Sequence, residues 1–286
     1  MKINFSKLHG LGNDYVVIDE TITETGLAKR PEAIRKICRR NFGVGSDGVL
    51  FVLPGKKADF RMRMFNPDGS EAEMCGNGLR CFGKFVFDKK LTDKKELEVE
   101  TLAGTKKLQL RTGKGGKVES VAVDMGKPIL ERETIPVAGE GERCVEEKIT
   151  VKGKTFNFTA VSMGNPHAVI FSDDIGLKRE NVAKYGPLIE KDRMFPKRIN
   201  VEFAKILSPT EAKMVVWERG AGITPACGTG TCATVVAGVL LGKLAAETWV
   251  TVHLDGGDLK ARVDEKLSKV EMDGPAEHVF DGTMVV

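Results

Sequence analysis

The chain has little of what many binding chemistries depend on. Its 286 residues include 2 Trp, 2 Tyr and 4 His, aromatic residues make up 6%, and the 6 Cys form no Cys-x-x-Cys. His9, His167, His253 and His278 lie far in sequence from any Cys, so no metal site is assigned. The excess of Lys and Arg (44) over Asp and Glu (40) is small and spread along the chain, which leaves no basic stripe for nucleic acid. Lys56-Lys57 and Lys106-Lys107 read as solvated strand ends. No apolar run reaches the length of a membrane span. The most apolar window, 233–244, is broken by Gly238 and Gly242 and has the size of a buried helix. The first residues show no apolar stretch ending in a small-residue cleavage site. A cytoplasmic protein without membrane partners is expected, and the cysteines argue against a disulfide framework.

With 41% hydrophobic and 29% charged residues, the composition is that of a globular protein long enough for two domains. Short runs rich in Val, Ile, Phe and Thr predict strands at 15–19, 49–53, 60–65, 97–101, 118–124, 156–161, 168–171, 201–206, 213–217, 249–254 and 269–272. Helical patterns are fewer: 32–40 after Pro31, 78–90, 181–190 and 231–244. Strands outnumber helices and do not alternate with them, which predicts an α+β fold over a doubly wound parallel sheet.

The motif Cys75-Gly76-Asn77-Gly78 recurs as Cys227-Gly228-Thr229-Gly230, and 227 − 75 gives an offset of 152. The same shift places Gly12-Asn13-Asp14-Tyr15 on Gly164-Asn165-Pro166-His167, Phe65-Asn66 on Trp217-Glu218, and Val49-Leu50-Phe51 on Val201-Glu202-Phe203. Four segments sharing one offset predict two homologous domains. They are expected at 1–125 and 126–274, with the tail 275–286 returning to the first.

Two stretches mimic a dinucleotide fingerprint. Gly43-Val44-Gly45-Ser46-Asp47-Gly48 follows a helical pattern and precedes a strand, the reverse of the required order. Gly228-Thr229-Gly230-Thr231-Cys232-Ala233 opens a helix, but a loop at 219–226 separates it from the strand before it and no βαβ unit surrounds it. Neither is assigned as a cofactor loop. Cys38, Cys81, Cys144 and Cys232 read as small buried residues. Cys75 and Cys227 differ, because each falls at the start of a helix, where backbone N–H groups and the helix dipole favour a thiolate and the adjacent glycines allow close approach of an anion.

If two such domains face one ligand, Cys75 and Cys227 reach it from opposite sides. One thiolate then removes a proton from a carbon beside a carboxylate, and the opposite thiol returns a proton to the other face. The N–H groups of both helix ends stabilise the charge that develops on the carboxylate. Asn13, Asn66, Asn165, Asn200 and the pair Glu218-Arg219 lie at strand ends or turns beside these segments. An Asn in a turn is commonly there for its backbone. A charged pair ending the apolar strand at 213–217 is harder to explain by packing, and Glu, Arg and Asn match the ammonium and carboxylate of an amino acid. His167 is either a core or turn residue or a group that tunes a nearby thiol.

Together, Lys7-Leu8-His9-Gly10-Leu11-Gly12-Asn13-Asp14-Tyr15, Phe65-Asn66-Pro67-Asp68-Gly69-Ser70, Met74-Cys75-Gly76-Asn77-Gly78-Leu79-Arg80-Cys81, Gly164-Asn165-Pro166-His167 and the segment from Glu218 to Gly230 resemble the diaminopimelate epimerase family, over nearly the whole chain and in the family's order. The resemblance implies a cofactor-independent isomerase that interconverts LL- and meso-2,6-diaminopimelate on the route to lysine and to a cell-wall precursor, and it implies a homodimer. It implies two similar domains related by pseudo-twofold symmetry, each a curved mixed or antiparallel sheet around a central helix. Carried over, Cys75 and Cys227 match the acid/base pair. Asn13, Asn66, Asn165, Asn200, Glu218 and Arg219 match substrate ligands, and Gly76-Asn77 and Gly228-Thr229 match the backbone cradles. His167 and Glu218 match groups that modulate the cysteines. Gly48 departs from members that carry a substrate-contacting Gln there. Proline and hydroxyproline enzymes of the same superfamily tend to have His at the place of Asn77, so Asn77 with Glu218-Arg219 favours an acyclic substrate. A thiol redox or amino-acid-binding protein would not require this set of Asn, Glu and Arg.

Overall fold

The computed structural model describes residues 1–172 and 177–286. Its α+β chain separates into two compact units, residues 1–124 with 273–286 and residues 125–272. Helices α1 (Pro31–Cys38) and α2 (Gly76–Asp88) belong to the first, α3 (Arg179–Glu190) and α4 (Gly228–Leu240) to the second.

In the first unit, strand Gly48–Pro54 reads Gly-Val-Leu-Phe-Val-Leu-Pro and is buried up to its last residue, as expected where both faces of a sheet are covered. Alternation assigns the faces. Val49, Phe51 and Leu53 join a cluster with Ala33, Ile34 and Ile37 of α1, while Leu50 Cδ2 lies 3.5 Å from the Cβ position of Gly78 in α2. Helix α1 starts at Pro31, whose missing N–H is tolerated in a first turn, and buries one face only. Helix α2 is different in kind. Every residue from Gly76 to Phe87 is buried, so the helix needs protein on all sides. It packs against strands Lys2–Gly10, Asn13–Asp19, Gly48–Pro54 and Gly104–Thr112. Close packing fixes even its glycines, since a Cβ on Gly83 would lie 2.9 Å from Leu110 Cδ2.

The second unit repeats this plan. Val201 and Phe203 pack with Val182, Tyr185 and Ile189 of α3. Helix α4, buried at nearly every position, packs against strands Lys154–Ser162, Pro166–Phe171, Asn200–Ser208 and Gly257–Val263. The ladder registers carry the offset found in the sequence. Tyr15 pairs with Gly48 in a parallel ladder and His167 with Asn200, and Val49 pairs antiparallel with Phe65 as Val201 does with Trp217. Parallel neighbours need a crossover, which α1 and α3 supply.

Two kinds of element depart from the sequence expectation. The central helices begin earlier than 78 and 231, because Gly76 and Gly228 already lie inside the first turn behind a cysteine N-cap. They also end earlier than 90 and 244, where Lys90 (φ 63°) and Gly242 (φ 66°) leave helical geometry. Several strands were invisible to composition. Gly104–Thr112, with the sequence Gly-Thr-Lys-Lys-Leu-Gln-Leu-Arg-Thr, buries only Leu108 and Leu110 and is held by ladders to both neighbours. Glu277–Val285 is largely exposed and pairs antiparallel with Lys2–Gly10, which ties the end of the chain to its beginning. No helix among the described residues is long and apolar enough to cross a membrane.

Phe82, fully buried in α2 against Phe60 at a ring distance of 6.2 Å, tests the claim that the central helix organises the first unit. Phe82→Ala is expected to destabilise it by about 3–5 kcal/mol, read as the loss in unfolding free energy in urea.

Candidate active site

In the first unit a cluster gathers around Cys75, which caps α2 in extended geometry (φ −142°, ψ 126°) without a side-chain cap bond. The turn that brings Asn13 to it depends on Gly12, whose φ of 87° favours glycine, and Gly164 (φ 98°) does the same for Asn165 in the second unit. Asn77 Nδ2 donates to Asn13 Oδ1 at 3.0 Å, and Asn13 Nδ2 donates to Asp47 at 2.9 Å. The Tyr15 hydroxyl lies 2.6 Å from Asn13 Oδ1 and 3.0 Å from Cys75 Sγ. Asn77 is 5% exposed, and its own Oδ1 has no hydrogen-bond partner. Asn66 stands apart from this cluster in its hydrogen bonding. Its Nδ2 donates to Ser70 Oγ at 3.0 Å, closing the turn after strand Phe60–Phe65.

In the second unit a cluster gathers around Cys227, the N-cap of α4, whose Sγ accepts from Gly230 N at 3.4 Å and lies 3.6 Å from Thr229 Oγ1. Asn165 Nδ2 donates to Thr229 Oγ1 at 3.2 Å, and Asn165 Oδ1 is 3.0 Å from His167 Nε2. The other ring nitrogen of His167 is 2.7 Å from Glu202 Oε1, and both side chains are wholly buried. The Glu218 carboxylate, close enough to act on Cys227 through its charge, receives the Thr224 hydroxyl. Asn200 ties Pro166 O and Arg219 N at 2.8 and 2.9 Å, fixing the chain on either side, while the Arg219 guanidinium donates to Lys197 O. Gly76 and Gly228 are the first residues of their helices, which leaves backbone N–H groups facing the cysteine end.

Sequence reasoning missed two residues. Tyr15 was legible in principle, since the 152-residue offset places it on His167. Glu202 carries a weaker signal, a lone acid in the apolar strand Val201-Glu202-Phe203-Ala204 opposite Leu50 in the repeat. Gly48 has a physical reason to lack a side chain, because its Cβ would lie 2.7 Å from Phe65 O and 3.2 Å from the Tyr15 ring.

Burial dominates the electrostatics. Cys81 is pushed up to about 12 and Cys144 to about 11, mainly by desolvation, as inert core thiols would be. Cys227 is also held well above the usual thiol value, first by burial and then by the carboxylates of Glu218 and Glu202. The expectation that a helix N-terminus would favour the thiolate is therefore overridden at Cys227, where Thr229 and Gly230 N–H pull in the thiolate's favour but lose to desolvation. Glu218 is itself raised by burial and by Glu202. Tyr15 lies well above its usual range, again through burial first and Cys75 second, and keeps its proton. Among the described residues, no group of three or more His, Cys, Asp or Glu is placed to hold a metal ion.

Each unit thus carries a cysteine N-cap at the start of its central helix, beside a turn asparagine and a buried ring, on an α+β scaffold built from a repeated unit. The scaffold has solved relatives. A hydroxyproline epimerase from Agrobacterium vitis superposes with a TM-score of 0.70 at 15% identity, covering 99% of this chain and 91% of that one. A phenazine biosynthesis protein of the PhzF family from Bacillus anthracis superposes with a TM-score of 0.67 at 16% identity, covering both chains fully. At such identities the likeness shows the fold. The sequence goes further: the family model described as diaminopimelate epimerase matches residues 5–131 and 159–279. Proteins named diaminopimelate epimerase from Methanococcus maripaludis strain C5 and Moorella thermoacetica are each 50% identical to it, over 98% of this chain and 99% and 98% of theirs. One from Desulfitobacterium hafniense is 51% identical over 98% of this chain and 97% of its own. The chain belongs to the diaminopimelate epimerase family.

The Glu218 carboxylate beside Cys227 makes a directional test. In Glu218→Gln, one of the charges that oppose ionisation is gone, so alkylation of Cys227 by iodoacetamide is expected to set in at lower pH than in the parent. Peptide mass spectrometry across a pH series reads this site by site. An onset at higher pH would show that Glu218 does not act on the thiol through its charge.

Proposed function

We propose that this protein is a diaminopimelate epimerase, a cofactor-independent isomerase that inverts one α-carbon between LL- and meso-2,6-diaminopimelate. The observation that carries the reading is the placement of Cys75 and Cys227 as N-caps of equivalent buried helices, within a chain whose relatives of the same name match it end to end. Inversion without a cofactor requires two bases on opposite faces of one carbon. In the proposed reaction one sulfur, as thiolate, takes the α-proton while the other, as thiol, delivers its proton to the opposite face. The electron pair released at the carbon spreads onto the substrate carboxylate, and the N–H groups behind Gly76-Asn77 and Gly228-Thr229 are oriented to stabilise it. Either sulfur serves as base or acid, depending on the isomer bound.

Asn13, Asn66, Asn77, Asn165, Asn200, Glu218, Arg219 and Thr229 are proposed as substrate ligands. The buried, unpartnered Oδ1 of Asn77 supports a donor group from substrate in the first half-site. Glu218 and Arg219 supply the charges that ammonium and carboxylate require. His167, hydrogen-bonded to Asn165 and Glu202, is proposed to modulate Cys227 through that network, and Glu218 to do so directly. We also place the enzyme in the cytoplasm as a homodimer. Strand Glu277–Val285, with Val279, Phe280 and Val285 exposed, supports a partner copy on that side.

Incubation of the reduced protein with LL-diaminopimelate in deuterated water tests the reading. The expected result is appearance of the meso isomer with deuterium at the inverted α-carbon, and a loss of about 10²–10⁴-fold in kcat for Cys75→Ala and for Cys227→Ala. Full activity in either variant would overturn the two-base mechanism, and turnover of proline or 4-hydroxyproline in place of diaminopimelate would overturn the substrate.

A further inference from the structure

The repeat places Tyr15 and His167 at equivalent positions, and each ring partners the side-chain oxygen of the asparagine two residues before it, at 2.6 and 3.0 Å. The two rings differ in what else they can do. His167 has its second nitrogen engaged with Glu202. Tyr15 has one hydroxyl proton and two acceptors in reach, Asn13 Oδ1 and Cys75 Sγ, the latter 3.0 Å away with either atom able to donate. We infer that Tyr15 is a positioning residue for Cys75, its hydroxyl changing hydrogen-bond direction with the protonation state of the sulfur. The inference rests on Cys75 being one of the two proton-transfer groups proposed above.

When Cys75 is a thiol, its S–H donates to the Tyr15 oxygen and the hydroxyl donates to Asn13. When Cys75 is a thiolate, the hydroxyl rotates and donates to sulfur, while Asn13 Oδ1 keeps the hydrogen bond from Asn77 Nδ2. Asn13 Oδ1, which also lies 4.0 Å from Cys75 Sγ, therefore keeps a donor in both states and no polar atom is stranded. The proton taken from substrate bonds to Sγ, and Tyr15 keeps its own throughout. Tyr15 is 1% exposed, which keeps the phenol neutral in both states. The charged and titratable surroundings are Arg80 and Cys81 from α2, Asp273, and the network of Lys7, Asp14, Arg40 and Asp47. Lys7–Asp14, Arg40–Asp14 and Arg40–Asp47 are ion pairs, so that network forms a fixed background to the hydroxyl's rotation.

Tyr15→Phe removes the hydroxyl and keeps the ring. A hydrogen bond to a charged acceptor is worth about a factor of ten in ionisation, so iodoacetamide alkylation of Cys75 at neutral pH is expected to fall about tenfold. Its pH curve should move upward while that of Cys227 stays in place. In the epimerase assay, the acidic limb of kcat/KM should move in the same direction. A Cys75 alkylation curve that superposes on the parent's would overturn the inference, because a packing role alone leaves it unmoved. Should Tyr15→Phe misfold, 3-fluorotyrosine incorporated into Tyr185→Phe, which leaves Tyr15 as the sole tyrosine, provides a stronger donor. The Cys75 curve must then move to lower pH, and no movement overturns the inference. Alkylation is read without turnover, so a parent that does not epimerise diaminopimelate would refute the functional reading and leave this test intact.

Discussion

Each unit is organised by a helix that has no solvent face. A helix buried along α2 or α4 can offer chemistry only at its ends, because every side position is committed to packing. Asp, Asn, Ser or Thr at the N-cap would satisfy the first N–H groups from within. Cysteine does this poorly: Cys227 accepts one long bond from Gly230, and no side-chain bond caps α2 at Cys75. The glycines that follow keep side chains away from the same N–H groups. What results is a helix end with weak internal capping and a polarizable sulfur at its mouth, a poor device for stability and a suitable one for meeting a carboxylate.

The two cysteine clusters share backbone geometry and differ in charge. At equivalent registers the first unit has Tyr15 and Leu50 where the second has His167 and Glu202, and Asn66 where the second has Glu218. The first cluster therefore surrounds its sulfur with neutral hydrogen-bonding groups, beside the buried Arg80, while the second surrounds its sulfur with carboxylates. Duplication accounts for the common geometry. The difference lies in side chains that leave the ladder registers intact, so chemistry diverged without disturbing the sheet.

Much of this was legible in the sequence because a single offset is a strong constraint. The cysteine helices and the Gly-Asn turns follow from 152 residues of shift, and the ladders at Tyr15 and His167 repeat at that shift, although the shift does not say that their strands run parallel. Composition found the strands buried on both faces, such as Gly48–Pro54, because these are nearly continuous apolar runs. It failed for Gly104–Thr112 and Glu277–Val285, where ladder pairing rather than apolar content makes the strand. Glu202 escaped because one acid in an apolar strand reads as a surface residue until its neighbour His167 is placed beside it. The ionisation of Cys227 escaped for a related reason: a helix dipole can be read from sequence, whereas the desolvation that outweighs it depends on depth.

That depth bears on the role proposed for Cys227. Two carboxylates near one buried thiol disfavour its thiolate, and Glu218 feels the same crowding. In the proposed reaction a substrate ammonium beside Glu218 would compensate the carboxylate that most opposes Cys227 ionisation. Proton transfer at that sulfur would then be coupled to occupancy by a ligand of the right charge. In the proposed reaction Glu218, the acid beside the sulfur, would favour a cationic amino-acid substrate over an uncharged one, while Glu202, wholly buried against His167, would act only through its charge.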